Sequence, residues 1–76
     1  MTYSEQIAAN VRAEVARAGY TQKEIAQVLG LSTAAISDRF NNKKTFENDE
    51  LMLIARHLGI DVLTFYRVVE SQGAAA

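Results

Sequence analysis

Residues 21–44, TQKEIAQVLGLSTAAISDRFNNKK, decide the fold of this chain. Thr21 and Glu24 form a T-x-x-E capping box, in which each side chain satisfies a free backbone N–H at the start of a helix. Tyr20, just before the cap, is placed to staple onto Ile25. Ile25, Ala26 and Leu29 share the inward side of that helix. Gly30 stops it, because glycine enters the left-handed conformation at little steric cost. Leu31 then plugs the turn, and Ser32 caps a helix from Thr33 to Phe40 or Asn41 whose anchors, Ile36 and Phe40, lie four residues apart. The stretch reads as two short helices around one tight turn.

Outward from this pair, the same signals continue. A first helix is predicted from Glu5 to Ala18, with Ser4 as N-cap, Gly19 beyond its end, and Ile7, Val11 and Val15 as its buried stripe. A loop from Asn41 to Phe46 carries Lys43 and Lys44. A fourth helix runs from Asn48 to Leu58, with Asp49 and Glu50 matching its N-terminal dipole and Leu51, Ile54, Ala55 and Leu58 facing inward. Gly59 closes it. Asp61 caps a fifth helix, where Val62, Phe65 and Val69 continue the core. The prediction is an all-α, compact five-helix domain over residues 1–71, with residues 72–76 as a frayed end or the start of a linker.

The chain's 76 residues place it near the lower limit for a domain that folds on its own core. The absence of proline favours a helical solution. With no cysteine, disulfides and thiolate metal sites are excluded, and a reducing cytoplasm is the expected setting. The longest apolar run falls far short of the roughly 18 residues that a membrane span needs, and no signal-peptide pattern opens the chain. His57 has no second histidine to join it and is read as a structural residue near the C-terminus of the fourth helix. No nucleophile–base pair and no phosphate-cradling glycine loop appears. Neither an enzyme, a cofactor nor a metal site is expected.

A net charge of −1 argues mildly against a nucleic-acid partner, but its distribution matters more. The charges balance from Met1 to Leu31. They sum to +2 from Ser32 to Phe46 and to −3 from Glu47 to Ala76. The positive block therefore coincides with the third helix and the loop after it.

The side of the third helix opposite Ile36 and Phe40 carries only Thr33, Ala34, Ser37 and Asp38. Short side chains let a helix backbone come close to base edges in the major groove of DNA; taken alone, the same face also suits plain solvation. Ala34 or the Thr33 methyl can meet a thymine methyl, and Ser37 can pair with several bases. Asp38 can accept from a cytosine amino group or can form a salt bridge with Arg39 or Lys43. Arg39 has three options: guanine, a phosphate, or a structural pair. Lys43 and Lys44 suit phosphates or a solvated loop.

Thr21-Gln22, Glu24-Ile25-Ala26, Leu29-Gly30-Leu31-Ser32, Ala35-Ile36-Ser37, Leu51, Ile54-Ala55 and Leu58-Gly59-Ile60 follow one another at a definite spacing. In that order they resemble the phage repressor and Cro-like (XRE-type) helix-turn-helix family, over about residues 4 to 70. The resemblance implies a lambda-repressor-like domain whose third helix reads bases while the following loop grips phosphate. Thr33, Ala34, Ser37 and Asp38 match the base-reading positions. Gln22, Arg39, Asn41, Lys43 and Lys44 are the phosphate-contacting candidates, with Gln22 matching the family's amide at the start of helix two. Asn42 stands where glycine is common, so its backbone is expected in the left-handed region that asparagine tolerates. Asp38, an acid, stands where an amide or a base is frequent.

The function implied is sequence-specific DNA binding in transcriptional regulation, as a phage-type repressor on a palindromic operator. Leu63 and Tyr66 form a second stripe on the last helix, outside the one the core needs. The family's habits make that stripe a homodimer interface; the alternative is packing on the first helix. A different class of function stays open: a protein-interaction module, such as an antitoxin or an assembly subunit, that keeps the helix-turn-helix shell.

Overall fold

The computed structural model describes residues 2–68. It contains four α-helices, α1 (Tyr3–Arg17), α2 (Gln22–Leu29), α3 (Thr33–Phe40) and α4 (Asn48–Leu58), followed by a 3-10 turn at Val62–Tyr66. The predicted core residue Val69 and the predicted tail at residues 72–76 lie outside the described residues.

Two expectations change. Helix α1 starts earlier than predicted, because Thr2 and not Ser4 caps it. Thr2 Oγ1 accepts from the Glu5 N–H at 3.2 Å, and Glu5 accepts from the Thr2 N–H at 2.7 Å, a second T-x-x-E box. The fifth helix is only a 3-10 turn. Asp61 does cap it, accepting from the Leu63 N–H at 2.9 Å. Asn10 of α1 reaches across to the end of this turn, donating to Phe65 O at 3.0 Å and to Arg67 O at 2.7 Å. The chain leaves helical geometry at Arg67, which is extended.

All four helices end in one hydrogen-bond pattern, a left-handed residue followed by a residue whose N–H reaches five positions back. Gly19, Gly30 and Gly59 supply the left-handed position after α1, α2 and α4, with φ of 82°, 69° and 73°. The residues that follow them, Tyr20, Leu31 and Ile60, donate to Val15, Ala26 and Ala55 and pack on the core. After α3 the same bonds recur with other chemistry. Asn42 takes the left-handed position at φ 57°, as its place in the sequence predicted, and Lys43 donates to Asp38 O at 2.7 Å. An exposed cation thus stands where the other three ends put an apolar plug.

The core joins every element: Val11 and Val15 of α1, Ile25 and Ala26 of α2, Ile36 and Phe40 of α3, Leu51, Ile54 and Ala55 of α4, and Phe65 of the turn. Ile7 is half-buried, and Ala8 is buried beside the predicted stripe. Helix α2 packs on α3 and α4, while α1 packs on α3 and on the 3-10 turn. This packing buries one side of α3 completely and leaves the other free.

Candidate nucleic-acid interface

Helix α3 stands against α2 with Ile36 and Phe40 inward. Ser32 Oγ accepts from the Ala35 N–H at 3.1 Å and sets the start of the helix. Thr33, Ala34 and Asp38 are exposed on the outer side, and Ser37 is half-buried. The four residues predicted to read bases therefore share one face. Ser37 is oriented from below: Asn41 Nδ2 donates to its hydroxyl at 3.2 Å and to its carbonyl at 3.0 Å. The same bonds turn the Asn41 amide back onto the helix, so a phosphate contact by Asn41 requires that exchange of partners.

Among the described residues no cation forms a salt bridge with the Asp38 side chain. Its backbone has a different task, accepting the N–H groups of Lys43 at 2.7 Å and Lys44 at 3.3 Å. The two lysines are exposed, and the backbone that carries them is tied to the end of α3 instead of looping freely. Gln22 is exposed at the first turn of α2, where free backbone N–H groups and the helix dipole favour an anion.

Of the three options for Arg39, the structure shows the structural pair and not an outward-facing phosphate contact: the side chain is 6% exposed and turns inward. Its Nε donates to Glu50 Oε1 at 2.9 Å, and its Nη1 donates to Ala35 O at 3.1 Å. The hydrogen bond to Glu50 raises the guanidinium pKa above its ordinary value, against the opposing effect of burial. Burial pushes the Glu50 carboxyl upward, but the bonds from Arg39 and from the Glu47 N–H outweigh it and hold the group below 4.5. Neither Glu50 as a partner nor Arg12, which approaches the end of α3 from α1, was singled out by sequence. Both act across helices, so no local spacing announces them.

Leu63 is 67% exposed, and Tyr66 is exposed with its hydroxyl donating to Asn48 Oδ1 of α4. Met52, Leu53 and Val68 are exposed apolar residues as well. His57, in the last turn of α4, lies against the ring of Tyr20, with centroids 4.9 Å apart. No helix among the described residues is long and apolar enough to cross a membrane.

A capped helix, a left-handed glycine turn and a second helix with a free polar face define a helix-turn-helix domain. A helix-turn-helix family model matches residues 11–65. The chain belongs to that family, of the XRE type, and so to the DNA-binding domains of transcription regulators. Among curated proteins and among solved structures, none matches.

Proposed function

We propose that this chain is a phage-type repressor, or the DNA-binding domain of one, that binds a palindromic operator as a homodimer. Helix α3 enters the major groove, with Thr33, Ala34, Ser37 and Asp38 toward base edges. Gln22, Asn41, Lys43 and Lys44 hold phosphates on either side. Leu63 and Tyr66 meet a second copy, at least on DNA, which puts one recognition helix in each half-site with centres about 34 Å apart. Bound at an overlapping promoter, such a dimer would exclude polymerase.

One observation carries this reading: the outer face of α3 is free, uniformly short-chained, and followed by two exposed lysines whose backbone is bonded to Asp38. Selection of bound duplexes from a random pool at low salt tests it. The expected result is a consensus with two-fold symmetry. A chain that retains no duplex at low salt would instead support the protein-interaction reading.

A further inference from the structure

We propose that Arg12 of α1 is an additional backbone-phosphate anchor, seated in the groove between α1 and the end of α3. The inference rests on the DNA-binding reading above. Arg12 is exposed, and its Nη1 donates to the carbonyl of Phe40, the last residue of α3. Together with Glu5, Asn41 and Asn42 it lines a groove of about 430 Å³.

Charge explains why an anion would come here. The C-terminal end of a helix carries roughly half a negative charge on its unpaired carbonyls, which repels a phosphate. The one basic residue in the last turn of α3 is Arg39, and Glu50 holds it inward. Arg12 takes its place from a neighbouring helix. Its protein partner is a neutral carbonyl, whereas Arg17 is paired with Glu14 at 2.7 Å and Arg39 with Glu50. Among the described residues no carboxylate lies within salt-bridge distance of Arg12. Glu5 shares the groove, but its carboxylate is bonded to the Thr2 N–H at the cap of α1. No carboxylate among the described residues therefore competes with an incoming anion for the Arg12 donors at salt-bridge distance. A guanidinium has five N–H donors, and the remaining ones suit a bidentate grip on phosphate.

Position supports the same assignment. Asn41 lines this groove and also bonds to Ser37 on the outer face of α3. The groove thus continues the proposed DNA-reading face past its C-terminal end, next to Lys43. With α3 in the major groove, that end meets the sugar-phosphate strand at the groove's edge.

The test compares Arg12→Gln, Arg12→Lys and Lys43→Ala in the full chain. Affinity for the selected duplex and for an unrelated duplex is measured across a salt series. Arg12→Gln is expected to weaken both complexes alike and to lower the slope of log K against log salt by about 0.9, the loss of one phosphate contact. Arg12→Lys keeps that slope. Thermal unfolding of each variant is followed in parallel, and binding is read well below the transition. If Lys43→Ala lowers the slope and Arg12→Gln does not, Arg12 merely caps α3 and the inference is overturned alone. If the unmodified chain binds neither duplex at low salt, the DNA-binding reading fails first and this one with it.

Discussion

Arg39 and Glu50 form a buried ion pair that joins α3 to α4, with Nε and Oε1 2.9 Å apart and both side chains at most 14% exposed. Glu50 Oε1 also accepts the Glu47 N–H at 2.9 Å, so one oxygen ties α3 to the start of α4. The loop with Lys43 and Lys44 spans the two ends of this clamp. Its length of chain is fixed at Arg39 on one side and at Glu50 on the other.

The pair makes stability acid-sensitive. The folded-state pKa of Glu50 is depressed below 4.5, so its contribution is fully present above that value and is lost as pH falls through the lower folded value. Unfolding followed by circular dichroism should therefore show a decline in stability below about pH 4.5 that Glu50→Gln reduces. Arg39→Ala, which leaves Glu50 without its partner, should cost roughly 3 kcal/mol at neutral pH. An acid profile identical in Glu50→Gln and the unmodified chain would remove this role.

Phosphate and base contacts should separate by their signatures. Lys43→Ala is expected to weaken binding to all duplexes and to lower the salt slope by about one unit. Ser37→Ala and Asp38→Ala should alter preference at particular base pairs by roughly 1–3 kcal/mol each, leaving the slope unchanged. Competition between the operator and its single-base variants reads this directly. A uniform loss from Ser37→Ala would argue against base reading.

The left-handed positions give a paired prediction. A Cβ at Gly30 meets nothing within 4 Å, so Gly30→Ala suffers only from its φ of 69° and should cost about 1–2 kcal/mol. Asn42→Gly should work in the opposite direction. It relieves the side-chain restriction at φ 57° and removes Asn42 Oδ1, which is buried without a hydrogen-bond partner. A gain of up to about 1 kcal/mol, seen as a rise of roughly 4–8 °C in Tm, is expected.

Association should respond to the exposed stripe and not to the core. Leu63→Asp places a charge on a side chain that is 67% exposed, so the fold should survive. Sedimentation of the chain on its operator should then shift from a two-copy to a one-copy complex. A two-copy complex that is unaffected would move the interface elsewhere, for example toward Met52 and Leu53 of α4. By contrast, Ile36→Ala opens the centre of the core and should cost roughly 2–5 kcal/mol, enough to threaten so small a domain.

Much of this molecule was legible along the chain because its rules act over three or four residues. The Thr21–Glu24 box, the Gly30 turn, the Ser32 cap and the left-handed Asn42 are all made by neighbours in sequence. The Thr2–Glu5 box obeys the same rule, yet Ser4 is a second plausible cap two residues further along, and only the structure decides between them. The fifth helix failed for a different reason. Its pattern is helical, but the turn is tied at its end by Asn10, 55 positions before Phe65, a contact that no local spacing announces.

What sequence determined by itself is the helix-turn-helix: which segments coil, where each stops, and which face of α3 is short and polar. Capping, left-handed turns and the spacing of apolar residues are local, and local interactions can be read from order alone. Tertiary structure decided which cations are free. Arg39 lies in the basic block yet is buried against Glu50, eleven residues away, while Arg12 from a charge-balanced segment arrives at the end of α3. An ion pair forms where packing brings opposite charges together in a place sheltered from water, and that is a property of distance in space.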